Sequence, residues 1–229
     1  MTLSAIRMVI AIDGPAASGK SSTAQWVAEE LGYLHVDSGS LYRALTAALL
    51  RHGAPPERWS ASTMMAQTPR VSLRPEQTSF SAVIDGVPAE EELRGGLVTD
   101  HVSQVARVPE VRRWVNEQVR HAAELRDVVV DGRDMGTAVF PDAPLKIFLV
   151  ADPWERARRR LTQRLGRRPS DEEIAGETDA IVQRDGKDAT QTVQAKDAVL
   201  LDTTYLTQAE QVERIVALAR AVSHRPPVT

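Results

Sequence analysis

A glycine-rich segment near the start of the chain has residue types and spacing suited to binding phosphate. Residues 14–21 read GPAASGKS and match G-x-x-x-x-G-K-[ST] at each fixed position. Glycines at both ends let the backbone turn so that successive N–H groups point at phosphate oxygens. Lys20 then reaches the β- and γ-phosphates of a triphosphate, and the Ser21 hydroxyl ligates Mg²⁺. The predicted nucleotide-binding residues are Gly14, Pro15, Ala16, Ala17, Ser18, Gly19, Lys20, Ser21 and Ser22.

The competing interpretation of this segment is a glycine-rich turn with a purely structural role. The segment directly follows an apolar run and opens a helical pattern, which is the context in which such a loop binds phosphate. We therefore favour the nucleotide site.

An arginine-rich stretch lies further along the chain, with seven arginines in the 13 positions 156–168. Arg156, Arg159 and Arg160 follow an i, i+3, i+4 spacing, which puts their guanidinium groups on one side of a helix. A solvated helix face is the common explanation for such a run. Because the chain has a net charge of −3, we favour a local cluster that clamps a transferring phosphoryl group. These three arginines and Lys20 are the predicted catalytic residues.

Charged residues also follow a short apolar run at residues 128–130. Asp131 closes the run in the manner of a Walker B element, and Arg133 and Asp134 come directly after it. Ligands bind at the carboxyl ends of strands in open α/β sheets, and an Asp-Gly turn alone gives no reason for Arg133 and Asp134 to follow. Arg184 and Asp188, by contrast, have the i,i+4 spacing of an ordinary salt bridge and are structural on spacing alone.

The pattern of apolar residues predicts the elements that position these groups. Continuous apolar runs predict buried parallel strands, joined by right-handed crossovers through helices. The predicted strands are residues 8–12, 33–36, 128–130, 145–150 and 198–201. Helices are predicted for residues 20–31, for the segment ending at residue 50, for residues 153–165 after an Asp152 N-cap, from a capping box at Ser170 and Glu173, and for residues 206–222.

The middle of the chain has a different pattern. Residues 71–73 and 81–84 alternate in period two, Asp85-Gly86 supplies a turn, and Val87 begins a return strand. Two helices are predicted after this small antiparallel meander, at residues 97–106 and 109–125. The region is predicted to be an insertion into the α/β core that covers a substrate.

Composition excludes several classes of protein. Twenty-eight basic and 31 acidic residues give no global positive field, and the chain has no cysteine for disulfides or thiolate metal sites. The longest apolar runs are far shorter than the roughly 18–20 residues that span a bilayer. We therefore expect no nucleic-acid or membrane partner, a cytoplasmic location and a monomer that acts on small molecules.

Four segments carry long matches to one enzyme family. They are IDGPAASGKSS at residues 12–22, VDSGSLYR at 36–43, VSQVARVPEVR at 102–112 and VDGRDMGTAVFPDAPLKIFL at 130–149. Together they resemble bacterial cytidylate kinases, nucleoside monophosphate (NMP) kinases that phosphorylate CMP and dCMP with ATP. The resemblance covers nearly the whole chain. Adenylate kinases differ after the second strand, and shikimate and gluconate kinases lack the middle insertion.

The resemblance implies a fold and a domain organisation. It implies an α/β P-loop NTPase core with a five-stranded parallel sheet flanked by helices, a small α+β NMP-binding insert and a helical lid. The expected core comprises residues 1–65, 126–165 and 186–229, the insert about 66–125 and the lid about 160–185.

The resemblance also implies ligands and their sites. ATP and Mg²⁺ are the implied cofactors. Arg43 and Arg133 match positions that hold the CMP phosphate, whereas Ser103, Arg112 and Asp134 match positions that read cytosine. Ser38, Arg184 and Asp188 match positions beside the nucleoside and its sugar, and Asp131 is included among the predicted substrate residues.

The sequence departs from the family pattern after Asp188. Gln191 stands where the family has an arginine, and the segment that leads to Ala198 looks a few residues short. Because a neutral amide cannot supply the guanidinium charge, either phosphate affinity or turnover is weaker, or another lid arginine compensates.

The expected function is ATP-dependent phosphorylation of CMP and dCMP. Two alternatives stay open from the sequence: a kinase for UMP or another small acceptor, and a P-loop nucleotide switch without kinase activity. The switch accounts for residues 14–21 but not for a second anion site at Arg43 and Arg133.

Overall fold

A computed structural model describes residues 7–52, 55–124 and 126–223, and two β-sheets lie within these ranges. The strands are β1 (Val9–Asp13), β2 (Leu34–Asp37), β3 (Val71–Pro75), β4 (Phe80–Ile84), β5 (Val87–Pro88), β6 (Val128–Gly132), β7 (Leu145–Val150) and β8 (Val199–Asp202). The helices are α1 (Lys20–Leu31), α2 (Ser38–His52), α3 (Ala61–Met65), α4 (Glu90–Leu93), α5 (Gly96–Ala106), α6 (Pro109–Ala123), α7 (Pro153–Leu165), α8 (Asp171–Asp188) and α9 (Gln208–Ser223).

The larger sheet is parallel and has the order β2-β6-β1-β7-β8, which confirms the predicted five strands and their direction. Alternate side chains of β1 and β6 enter two different core clusters. Ile10 and Ile12 pack in the layer of α1 and α9, whereas Ala11 and Val130 pack in the layer of α2 and α6. Because both faces are covered, these strands are continuous apolar runs. Their carboxyl ends lie at one edge, where Asp37 is in register with Asp131.

The predicted antiparallel meander is confirmed as the second sheet, in the order β3-β4-β5. The predicted turn between β4 and β5 has positive φ at both residues, 50° at Asp85 and 78° at Gly86, as tight hairpin turns require. The amide of His35 in β2 donates to the Thr78 carbonyl at 3.0 Å. The small sheet therefore covers the β2 edge of the large one.

Helices α7 and α8 form an antiparallel hairpin whose ends carry the predicted caps. The Asp152 carboxylate accepts from the Trp154 amide at 2.9 Å. Ser170 and Glu173 form the reciprocal capping box before α8. The turn at the end of α7 passes through Gly166 at φ 65°, a left-handed conformation. Ala17 of the glycine-rich loop packs against the small core between these helices, so the hairpin contacts that loop.

Strand β8 forms the opposite edge of the large sheet from β2. It is four residues long, and the side chains of Val199 and Leu200 are exposed. Asp197 precedes the strand and Asp202 ends it. None of the helices in the described ranges has both the length and the apolar character needed to cross a membrane.

Some local structure has no counterpart in the sequence prediction. The short helices α3 and α4 were not predicted, and neither was a single π-helical turn at Met135–Val139. In that turn the Phe140 amide donates to the Met135 carbonyl at 2.7 Å, five residues back. The turn directly follows Asp134, one of the predicted site residues.

Candidate active site

The loop between β1 and α1 has a backbone that its glycines make possible. Gly14 has φ 151°, and a Cβ atom there would lie 2.2 Å from the Leu149 carbonyl oxygen of β7. Gly19 has φ 86° and directly precedes α1. The loop therefore curls against the sheet and leads directly into the N-terminus of α1, which is a placement suited to binding anions.

Lys20 is buried at the start of α1, and its ammonium group contacts the loop. Its Nζ donates to the Pro15 carbonyl at 2.6 Å and to the Ser18 Oγ at 3.3 Å. Burial lowers the pKa of Lys20 from 10.5 to about 7, and the nearby Arg133 guanidinium lowers it further against the opposing effect of Asp131. An added anion at this position would favour the charged form of Lys20.

Ser21, Asp131 and His35 form a chain of short hydrogen bonds at the carboxyl edge of the sheet. The Ser21 hydroxyl donates to Asp131 Oδ2 at 2.6 Å, and His35 Nε2 lies 2.7 Å from Asp131 Oδ1. Asp37 ends the neighbouring strand, where burial, aided by Asp131, raises its pKa to about 6. Hydroxyl and carboxylate oxygens are the ligands that Mg²⁺ prefers, so Ser21 and Asp131 fit this ion.

Three arginines converge opposite the loop: Arg43, Arg133 and Arg184. Burial lowers the pKa of Arg184 to about 10, with Arg133 and Arg43 as the next causes. The Nε atoms of Arg133 and Arg184 are buried and have no hydrogen-bond partner among the described residues. The nearest carboxylate, on Asp188, is 3.5 Å from Arg133 Nη2 and 3.8 Å from Arg184 Nε. This arginine trio is a concentration of like charge suited to a phosphate group.

Arg112 and Asp134 form an ion pair beyond the arginine trio. Arg112 Nη2 donates to Asp134 Oδ2 at 2.5 Å, and the guanidinium carbon lies 5.9 Å from the centre of the Tyr42 ring. Arg112 Nη1 also donates to Gln191 Oε1 at 3.2 Å. Gln191, which departs from the family pattern, therefore contacts the very arginine that the resemblance assigns to base reading.

The three arginines predicted as a phosphoryl clamp do not share one surface. Arg159 and Arg160 line the cleft beside the loop, although Arg159 donates to the Thr203 carbonyl at 2.6 Å and Arg160 pairs with Glu177 at 3.2 Å. Arg156 lies beneath the loop instead, where its guanidinium donates to the Ala16 carbonyl at 2.7 Å. The i, i+3, i+4 spacing does not encode that α7 packs its Arg156 side against the loop.

Asp185 completes the support beneath the loop. Its Oδ2 accepts from Arg156 at 2.6 Å, and its Oδ1 accepts from the Ala16 amide at 2.9 Å. Helix α8 thus holds the loop through one carboxylate.

A cleft of about 1440 Å³ joins these groups. The predicted site residues that line it are Ala16, Ala17, Ser18, Gly19, Lys20, Ser21, Ser22, Ser38, Arg43, Ser103, Asp131, Arg133, Asp134, Arg159, Arg160, Arg184 and Asp188. The other four are not in its lining: Pro15, Arg112 and Arg156 contact the lining residues Lys20, Asp134 and Ala16, and Gly14 lies earlier in the same loop.

Sequence reasoning missed four carboxylate and imidazole groups: Asp13, His35, Asp37 and Asp185. Asp13 and Asp37 are the last residues of their strands, and Asp131 is the second-last residue of β6, so the signal that found Asp131 was present for Asp13 and Asp37 too. His35 and Asp185 carry no such signal, because each contacts a partner far away in the sequence.

Comparison with known proteins identifies the family. A family model described as cytidylate kinase matches residues 10–221. The chain belongs to the cytidylate kinase family.

Curated relatives agree with the family model. The chain is 40% identical over 210 residues to a cytidylate kinase of Limosilactobacillus reuteri (strain DSM 20016), covering 90% of this chain and 92% of that one. It is 42% identical over 217 residues to a cytidylate kinase of Geobacillus kaustophilus (strain HTA426), covering 93% and 96%. Membership in the cytidylate kinase family makes the chain a kinase, which removes the alternative of a switch without kinase activity.

A solved structure of an uncharacterized protein from Eubacterium ventriosum ATCC 27560 is similar in fold. The TM-score is 0.51 at 12% identity, covering 96% of this chain and 100% of that one. At this identity the likeness concerns the fold alone.

Proposed function

We propose that the protein transfers the γ-phosphoryl group of ATP to the phosphate of CMP or dCMP, giving ADP and CDP or dCDP. The observation that carries the proposal is the presence of two anion-binding regions in one cleft, the glycine-rich loop and the arginine trio, with the Arg112–Asp134 pair beyond the second.

The donor side is the loop with Lys20 and Ser21. Loop amides and the Lys20 ammonium hold the β- and γ-phosphates of ATP. Ser21 and Asp131 hold Mg²⁺, which when bound screens the phosphate charge. Arg156 and Asp185 keep the loop in shape through Ala16. Arg159 and Arg160 lie along the same cleft and stabilise charge on the transferring group.

The acceptor side is the arginine trio. Arg43, Arg133 and Arg184 repel one another, so a dianionic phosphate between them replaces repulsion with attraction. Ser38 and Asp188 lie beside this position in the cleft and serve the nucleoside and its sugar.

Three residues recognise the base: Asp134, Arg112 and Ser103. Cytosine has an amino donor where uracil has a carbonyl acceptor. The Asp134 carboxylate accepts from that amine, while Arg112 and the Ser103 hydroxyl donate to the neighbouring acceptor edge of the base. A uracil oxygen would face the Asp134 carboxylate without a hydrogen between them.

The reaction forms one bond and breaks one. An oxygen of the CMP phosphate bonds to the γ-phosphorus as the bond from that phosphorus to the β–γ bridging oxygen breaks, and the electron pair leaves with ADP. The attacking oxygen is already anionic, so no general base is needed. Alignment and charge neutralisation supply the rate acceleration.

We also propose which segments move. The insert, about residues 66–125, closes over CMP, and the lid, about residues 160–185, closes over ATP. Closure excludes water, which would otherwise compete with CMP for the γ-phosphoryl group.

We expect the enzyme to act as a monomer in the cytoplasm, where ATP is available. Sedimentation velocity measures whether it is a monomer.

A coupled assay of ADP formation tests the function. ATP is supplied with CMP, dCMP, UMP, AMP or shikimate in turn. We expect turnover that depends on CMP or dCMP and is at least tenfold slower with UMP; equal use of UMP would favour the alternative of a broader pyrimidine kinase. Turnover independent of any acceptor would contradict the proposal.

A variant pair tests the acceptor side. Arg133→Ala should raise the KM for CMP at least tenfold, about 1.4 kcal/mol, with a much smaller change in the KM for ATP. Arg113→Ala, an exposed arginine on α6, is the control and should change neither. Equal effects of Arg133→Ala on both substrates would remove Arg133 from the acceptor side.

A further inference from the structure

Asp13 is a buried carboxylate at the junction of the two substrate regions. It ends β1, directly before Gly14 of the glycine-rich loop, and is 3% exposed. Its Oδ1 accepts from the Met135 amide and its Oδ2 from the Gly136 amide, both at 2.8 Å. One side chain of the donor loop therefore holds two consecutive amides of the segment that follows Arg133 and Asp134.

These two amides begin the π-helical turn Met135–Val139. Asp is a preferred residue at the N-cap of an α-helix, yet the Asp134 side chain makes no cap hydrogen bond to this turn. Its main-chain carbonyl accepts from the Ala138 amide at 2.8 Å, whereas its carboxylate pairs with Arg112. Asp13 takes over the capping of the turn, which leaves the Asp134 carboxylate available to the cleft.

The strand pairing reinforces this link. Asp13 is in register with Gly132 across β1 and β6, so the backbone is fixed immediately before Arg133. The Asp13 carboxylate fixes it again immediately after Asp134. Arg133 and Asp134 thus lie on a short bridge between two anchored points.

We propose that Asp13 is a positioning residue for the acceptor: it sets the placement of Arg133 and Asp134 and so determines how well CMP is bound and distinguished from UMP. The inference rests on the proposed function and adds a residue that touches neither substrate. A carboxylate with a purely structural role would support the fold without altering the preference between the two bases.

The variant Asp13→Asn tests the proposal. An amide supplies only one acceptor oxygen, and its NH₂ group would face the N–H of Met135 or Gly136, so one of the two bonds is lost. We expect the KM for CMP to rise at least tenfold and the ratio of kcat/KM for CMP over UMP to fall at least fivefold. Binding of a non-hydrolysable ATP analogue, measured by calorimetry, should change less than threefold.

Asp127→Asn is the matched control. The Asp127 carboxylate also accepts from a backbone amide, that of Met8 at 2.8 Å. This bond joins the ends of β1 and β6 that lie away from the cleft. The variant makes the same carboxylate-to-amide change, can keep its single bond through the remaining amide oxygen, and should leave the CMP-to-UMP ratio and both KM values unchanged.

A second variant covers the case in which Asp13→Asn does not fold. A Cβ at Gly136 would lie 3.4 Å from Asp13 Oδ2 and 3.2 Å from Lys146 Cδ, so Gly136→Ala places a methyl group against the same carboxylate and crowds Lys146 more closely, without changing charge. It should lower the CMP-to-UMP ratio in the same direction by a smaller factor.

The outcomes separate the two proposals. The proposed role of Asp13 is overturned, and the proposed function is left standing, by either of two results. One is an unchanged ratio of kcat/KM for CMP over UMP in both variants, and the other is an equal loss of affinity for CMP and for the ATP analogue. A wild-type protein that forms no ADP in response to CMP overturns the proposed function and this inference with it.

Discussion

Substitution of Arg184 should raise the free energy of unfolding and weaken the binding of CMP. Its side chain is 22% exposed, and the closest approach to a carboxylate oxygen is 3.8 Å, at Asp188. Burial, followed by the repulsion of Arg133 and Arg43, lowers its pKa from 12.5 to about 10. Keeping this guanidinium charged in the folded protein therefore costs free energy that no close ion pair offsets.

The change in pKa gives the magnitude. One pKa unit corresponds to 1.36 kcal/mol, so the fall from 12.5 to about 10 amounts to about 3 kcal/mol. Arg184→Met keeps an unbranched stem of similar length and removes the charge. After allowance for the lost attraction to Asp188 and for imperfect packing, we expect the free energy of unfolding to rise by about 1 kcal/mol, which is roughly 2–4 °C in Tm for a chain of this size.

The same variant should bind CMP less well. Loss of one guanidinium from the arginine trio should raise the KM for CMP about tenfold or more, about 1.4 kcal/mol. Urea denaturation measures the stability, and the coupled ADP assay measures the KM. Arg74→Met, at an arginine of the small sheet that pairs with Glu76, is the control and should show neither effect.

Two results would refute this reasoning. If Arg184→Met lowers the free energy of unfolding by more than about 1 kcal/mol, the guanidinium contributes to the fold despite its neighbours. If the variant leaves the KM for CMP unchanged, Arg184 does not belong to the acceptor side. The two results together would return Arg184 to the structural role that its spacing alone indicates.

Three further predictions concern the rest of the cleft. With a pKa of about 7, Lys20 is mostly neutral at pH 8, and a bound phosphate favours its charged form. Binding of an ATP analogue at pH 8 should therefore be coupled to uptake of a proton by the protein, which calorimetry in two buffers of different ionisation enthalpy measures. Lys20→Met should abolish both the proton uptake and turnover. Asp134→Asn should lower the ratio of kcat/KM for CMP to kcat/KM for UMP at least about tenfold, roughly 1.4 kcal/mol, because an amide can both donate and accept a hydrogen bond. An unchanged ratio would remove Asp134 from base recognition. Gln191→Arg should lower kcat/KM for CMP, because it replaces the acceptor of Arg112 by a second cation, and improved use of CMP would show that this corner tolerates the charge.

The sequence predicted the elements of the fold well because their signals are local. Asp152 and Ser170 begin helices through side-chain caps, as predicted, and the helix predicted for residues 20–31 ends at Gly32 in a left-handed conformation. The five strands were found from runs of apolar residues, which in β1 and β6 follow from burial on both faces of the sheet, whereas Val199 and Leu200 of β8 are exposed.

The site was predictable only where it follows a strand end or a known motif. Spacing gave Arg156 a place in the phosphoryl clamp, but its partner Ala16 is 140 positions away, and no local pattern reports that contact. Spacing also made Arg184 and Asp188 an ordinary ion pair, whereas the crowding of Arg184 depends on Arg43 and Arg133 from two other elements. Contacts of this kind are set by how helices pack, which periodicity does not encode.

The open edge at β8 bears on how the protein behaves at high concentration. A strand edge with exposed Val199 and Leu200 is a template on which a strand of another copy can add. Its shortness limits that pairing, and Asp197 and Asp202 flank it. Hydrogen bonds from Lys146 and from Thr204 hold the pKa values of these two carboxyls below their usual range. Because Lys146 pairs with Asp197 at 2.8 Å, the charge of Asp202 is the one that opposes addition of a second copy at this edge.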